Sequence, residues 1–162
     1  MKKSIFFLTV FLIAIGTLQA QIKVGPGLCF GTDIDNLGIS ANVIYDFNES
    51  WSAAPSFTYF LPKNNVNWSV LDLDANYVFA NVEKLGKVYA LAGLGITFWS
   101  FDFDDQGFFD FDTSGSDACI NIGAGFSTPI NEKFGISPEI RYSIGDCSYL
   151  RVGAKIMFSL DK

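Results

Sequence analysis

Histidine is absent from the chain, which removes Ser-His-Asp hydrolysis, Cys-His nucleophiles and histidine-ligated zinc together. Charge is scarce as well: Asp, Glu, Lys and Arg make up 17% of the sequence, against roughly 25% in soluble globular chains. Bases are scarcer than acids, 11 against 17, for a net charge of -6 and a pI near 4.4. That balance excludes a nucleic-acid partner held through its phosphates. What is plentiful is apolar: 49% hydrophobic and 16% aromatic residues with a mean hydropathy of +0.28. A disordered tail is excluded by that content, and 162 residues suit a single domain.

The first segment reads as an export signal. Lys2 and Lys3 precede an apolar run from Ile5 to Ile15, and Gly16-Thr17-Leu18-Gln19-Ala20 closes it before Gln21. This pattern predicts cleavage after Ala20. The run is shorter than the ~18 apolar residues that a spanning helix needs, and the first cysteine, Cys29, lies too far on for a lipid anchor. Losing Lys2 and Lys3 from the 11 bases leaves nine against 17 acids, a mature net charge of -8.

After residue 20 no 3.6-residue stripe occurs; apolar residues alternate with small or polar ones, the period of a β-strand. Eight such runs are predicted: Ile22–Phe30, Leu37–Phe47, Trp51–Leu61, Leu71–Phe79, Val88–Phe98, Ala118–Phe126, Phe134–Ile144 and Leu150–Leu160. Asn48–Ser50, Asn81–Gly86 and Pro129–Lys133 form short polar turns on one side, and the segment Ser100–Asp117 forms a long connection on the other. Short periplasmic turns and longer outer loops are the layout of an eight-stranded antiparallel transmembrane β-barrel, an up-and-down meander that is all-β.

Orientation must be argued separately. The non-apolar faces hold mostly Gly, Ser, Asn and Cys, a poor soluble surface, and an eight-stranded interior is too narrow for the bulky set. Facing lipid, Tyr45, Phe47, Trp51, Tyr77, Phe79, Phe126, Phe134 and Phe158 form one aromatic girdle. Phe30, Tyr59, Trp68, Phe98 and Tyr142 form the other. Pro26, Pro55 and Pro138 fall inside strands and predict local bulges. Trp51–Tyr59 aligns with Phe134–Tyr142 around the shared prolines, so strands three and seven suggest a four-plus-four repeat.

The leader, the eight alternating strands, the Gly-x-Gly pairs at Gly93/Gly95 and Gly123/Gly125, and the ending Val152-Gly153-Ala154-Lys155-Ile156-Met157-Phe158 together resemble the small outer-membrane β-barrels. These are the OmpA/OmpX-like "outer membrane protein beta-barrel domain" or "porin family" proteins. The family's terminal signal usually ends on an aromatic residue, whereas this chain runs on through Ser159-Leu160-Asp161-Lys162. The resemblance implies an outer-membrane location, with residues 1–20 as signal and 21–162 as a monomeric barrel. Enzymes among such barrels rely on a histidine base, which is missing here, so no catalytic residue is assigned.

The inward faces carry Lys23, Arg141, Arg151 and Lys155 against Asp46, Asp72, Asp74 and Glu139. Either these form an ion pathway or they form a salt-bridged plug, which the filled interior of eight-stranded barrels favours. In the long segment, Phe101–Asp112 mixes five acids with five phenylalanines and no base. Asp102, Asp104 and Gln106 before Gly107, with Asp110 and Asp112 following, resemble the opening of a calcium loop, although Thr113 stands where the closing Glu belongs. The alternative functional reading of the stretch is an adhesive surface, and the plain reading is that the two strands extend past the membrane, since Phe101/Phe103 and Phe109/Phe111 keep period two. Cys29, Cys119 and Cys147 share the inward parity. Cys29–Cys147 is the preferred bridge, Cys119–Cys147 the second, and three packed thiols the alternative. The functional expectation is a structural or surface-interaction barrel that meets an extracellular protein or glycan through residues 100–117. A small-solute channel is the second reading and a soluble ligand-binding barrel the third.

Overall fold

The computed structural model describes residues 21–63, 65–101, 113–146 and 148–160, with Phe101 and Thr113 described by backbone alone. Eight strands follow in order: β1 (Gln21–Gly31), β2 (Asn36–Asp46), β3 (Trp51–Lys63), β4 (Val66–Val82), β5 (Gly86–Phe101), β6 (Thr113–Pro129), β7 (Phe134–Gly145) and β8 (Tyr149–Ser159). Each pairs antiparallel with its sequence neighbours, and β1 pairs with β8 from Lys23↔Ser159 to Gly31↔Arg151, closing the barrel. Closure satisfies every strand edge, which a sheet in hydrocarbon requires.

Side-chain direction follows the alternation. Leu28, Leu94 and Leu73 are 63%, 62% and 58% exposed on the outer wall, while Asp72, Asn121 and Ser143 are 0% exposed inside. Apolar rows therefore face outward and polar rows face inward, the reverse of a soluble barrel. The aromatics near the short turns pack laterally, Trp51 against Tyr77 at 4.8 Å and Phe134 against Phe158 at 6.0 Å between ring centroids. Trp68 differs from the expected girdle position. It lies on the inward parity of β4 and packs against Phe60, Val70 and Tyr149 within the barrel.

The prolines do not make bulges. Pro26, Pro55 and Pro138 each keep a partner on one side, Ala41, Leu73 and Ala154. On the other side the ladder skips the proline and resumes in the same register. A missing N–H costs ladder bonds on one edge only, and the two flanking strands hold the alignment. The register shifts fall elsewhere, between Phe60 and Lys63 and between Val78 and Ala80. The long connection is also shorter than the alternation suggested, because Thr113–Asp117 pairs with Thr97–Phe101 as strand. Ser114, Gly115 and Ser116 carry no apolar alternation, so nothing in their side chains announced it.

The suggested repeat extends into the turns before β3 and β7. Asn48 Oδ1 accepts the backbone N–H groups of Ser50 and Trp51, both at 2.9 Å. Asn131 Oδ1 likewise accepts those of Lys133 and Phe134 at 2.8 and 2.9 Å. Each is an Asx turn, in which the short amide side chain mimics the next backbone unit and sets the following strand's start.

Candidate functional site

Strand periodicity delivers one ionic cluster into the middle of the lumen. From β7 and β8, Arg141 and Arg151 stand directly opposite each other in the ladder, a like-charge pairing that is unfavourable alone. Asp72 of β4 reaches across to both. It accepts Arg151 Nη1 and Nη2 at 2.7 and 2.8 Å and Arg141 Nη1 at 2.7 Å. Arg141 Nη2 also meets Asp74 at 2.9 Å and Glu139 at 2.8 Å. Lys155 Nζ closes on Glu139 at 2.6 Å. Three bases and three acids thus balance within one buried network, which offsets the cost of desolvating each ion.

Neutral groups complete it. Asn121 donates to Asp72 at 2.8 Å and Asp74 at 3.0 Å, and its Oδ1 accepts from Ser143 at 2.8 Å. The Tyr89 hydroxyl donates to Glu139 at 2.8 Å. Glycines clear the space on the facing walls. A Cβ on Gly125 would lie 2.3 Å from the Tyr89 ring, and one on Gly95 would lie 2.6 Å from Cys119 Sγ and 3.1 Å from Asp72 Oδ1. A void of about 40 Å³ among Ser40, Asn42, Ser56 and the cationic side chains has room for roughly one water.

The two ends of the lumen differ. Toward the outer end, Phe60, Val70 and Tyr149 are fully buried, with Cys29, Ile34 and Trp68 packed against them. The Arg151 guanidinium carbon sits 5.4 Å from the Tyr149 ring centroid, so cap and network meet through a cation–π contact. Toward the short-turn end, a cavity of about 600 Å³ opens below Tyr89, lined by Ser52, Asn76, Ser127, Ser137 and Met157. Lys23 and Asp46 line the same cavity as a separate, half-buried pair at 2.7 Å.

The model of the family described as "Outer membrane protein beta-barrel domain" matches residues 11–155. The chain belongs to that family. Solved structures agree in fold. The N-terminal β-barrel domain of Pseudomonas aeruginosa OprF is 16% identical, with 88% of this chain and 98% of that one covered at a TM-score of 0.71. Neisserial surface protein A is 12% identical, with 87% and 97% covered at a TM-score of 0.67. Ail, the attachment invasion locus protein of Yersinia pestis, is 19% identical, with 86% and 96% covered at 0.61, and has also been solved with the heparin analogue sucrose octasulfate. No curated protein matches the chain by sequence. As a member of this family the protein is an integral outer-membrane barrel, and the soluble-barrel reading falls with the outward apolar rows.

The structure brings Asp72, Asp74, Glu139, Arg141, Arg151 and Lys155 together and leaves Lys23 with Asp46 at the mouth. Cys29 and Cys119 are lumen-facing thiols. Cys147 lies outside the described residues, and the preferred Cys29–Cys147 bridge with it. Asp102, Asp104, Gln106, Asp110 and Asp112 lie outside them too, as do residues 1–20, the expected export signal. Among the described residues no group of three or more Cys, Asp or Glu could hold a metal ion. Sequence reasoning did not single out Phe60, Val70, Tyr149 or Asn121. Parity alone could have marked Phe60, lodged between outward Tyr59 and Leu61.

Proposed function

We propose that this barrel is a closed membrane anchor that acts without catalysis, as a structural or surface-interaction protein at the cell exterior. One observation carries the reading: the ionic network lies directly beneath the Phe60–Val70–Tyr149 cap, so the lumen is filled where a solute path would need to be open. With transport set aside, the outer connections become the working surface, and the stretch Phe101–Asp112 is the richest in aromatic contact groups.

Charge narrows the partner. Ail has been crystallised with a sulfated, polyanionic ligand, but this chain presents five acids and no base in 101–112. Like charges would repel such a ligand, so an uncharged glycan or a basic protein surface suits this loop better. In this reading residues 1–20 are removed on export and 21–162 form the mature barrel, which N-terminal sequencing checks. Glycan and protein binding by the intact protein should disappear when 102–112 is deleted; equal binding by both forms refutes the surface assignment. Calorimetry with calcium tests whether Asp102, Asp104, Gln106, Asp110 and Asp112 act as oxygen donors, and a flat titration removes that idea. The channel reading has one observation in its favour, the open cavity at the short-turn end. Discrete conductance steps in a planar bilayer would establish it.

A further inference from the structure

The outer ends of β3 to β6 carry a groove that the reading above does not use. Its volume is about 440 Å³, within the roughly 300–1,000 Å³ of small-molecule sites. Register fixes how it is built. Tyr59, Ser69, Phe98 and Ser116 are successive ladder partners and form one row on the outer wall. Two residues nearer the rim, Asn67, Ser100 and Ser114 form the next. With strands about 4.8 Å apart and same-face residues about 7 Å apart along each, the patch measures roughly 14 by 7 Å.

Hydroxyls surround a ring in this patch. Ser69 and Ser116 flank Phe98 on either side, and Ser100 follows it toward the rim. Tyr59 and Phe98 are each 41% exposed, and the Tyr59 hydroxyl donates to Asn67 Oδ1 at 3.4 Å. Among the described residues none is hydrogen-bonded to the hydroxyls of Ser69, Ser100, Ser114 or Ser116. All four serines are half-buried or exposed, so a ligand can reach them. No acid or base lines the groove, although Asp33, Asp35, Lys63 and Asp146 lie at the same end of the barrel. A phosphate would find no cation there. A sugar meets every group: its C–H faces lie on the rings while its hydroxyls exchange hydrogen bonds with the serines. The row beneath, Phe57, Leu71, Ile96 and Ala118, is apolar and continues the same wall into the hydrocarbon.

We infer that this groove holds the uncharged sugar headgroup of a membrane glycolipid, whose acyl chains run down over Phe57, Leu71 and Ile96. The membrane source follows from placement, since only a ligand with both a sugar and a hydrocarbon part covers the two adjoining rows. The site rests on the outer-membrane location and not on the role proposed for 101–112, so it stands even if that loop binds nothing.

The test places the full barrel in phosphatidylcholine nanodiscs doped with increasing glucosyl diacylglycerol and follows amide shifts by NMR. Saturable shifts are expected at Ser69, Phe98, Ser100 and Ser116, and none of that pattern with diacylglycerol or phosphatidylglycerol as the dopant. Ser69→Ala combined with Ser116→Ala should weaken binding about tenfold, the loss of two ordinary hydrogen bonds, and Phe98→Leu, which keeps apolar contact without a ring, should weaken it too. Deleting 102–112 should leave the shifts in place while removing any soluble partner, so the two readings fail separately. Heat-modifiable gel mobility reports whether each variant folds, and the comparison of lipids on the wild-type barrel decides the matter if one does not. Equal shifts from diacylglycerol, stronger binding of phosphatidylglycerol, shifts that never saturate, or an affinity unchanged in the serine double variant would overturn the proposal.

Discussion

The outer and inner halves of the lumen are built from the same strands by opposite means. Outward of Tyr89 the inward positions are large or charged: Phe60, Tyr149, Asp72, Arg141 and Arg151 fill the section and hold one another. Inward of it they are small: Ser52, Asn76, Ser127 and Ser137 leave about 600 Å³ open. Backbone pairing runs through both halves, broken only beside the prolines and at the two register shifts, so the hydrogen-bonded wall does not need a packed interior. The contrast teaches that closure of the barrel and closure of its lumen are separate properties, and that only the second depends on particular side chains.

Substitutions can break that contrast in graded steps. Asp72→Ala should have the largest effect, since it leaves Arg141 and Arg151 facing each other without their shared acceptor. The loss expected is about 3–5 kcal/mol, read from urea unfolding in lipid vesicles. Phe60→Ala empties the cap and should cost about 3 kcal/mol by the same measurement. Gly125→Ala forces the Tyr89 ring off its place over the floor. A cost of about 2 kcal/mol is expected, together with altered Tyr89 ring resonances in NMR. At the mouth, Lys23→Ala removes a half-buried pair and should change stability by less than about 1 kcal/mol. Ser52→Ala in the open half should be almost silent, within about 0.5 kcal/mol. Were Ser52→Ala to cost as much as Phe60→Ala, the two halves would not differ as described.

The architecture was legible because parity is a strong signal when one face must be greasy. Leu28, Ile39, Leu73 and Leu94 mark the lipid side unambiguously, and the inward charges stand out against Gly and Ser. Several things were not legible. The start of β6 lies outside the apolar band, where Ser114-Gly115-Ser116 needs only backbone partners. The cap is easily passed over because Phe60 and Val70 sit inside continuous apolar stretches, although the alternation of their strands already turns them inward. Trp68 was assigned by residue type, an aromatic near a rim, although the parity of β4 turns it inward. How Asp72 serves two arginines depends on distances across the barrel that spacing along the chain does not contain. The prolines showed the same limit, since which ladder edge each sacrifices is a matter of neighbours rather than of local sequence.

Planar-bilayer recording of the purified protein tests the central claim most directly. The filled outer lumen predicts a silent wild-type barrel and, if Asp72→Ala still inserts, openings that appear only in that variant. Discrete steps from the wild-type protein would contradict it, because conduction would then pass the network and cap said to close the lumen.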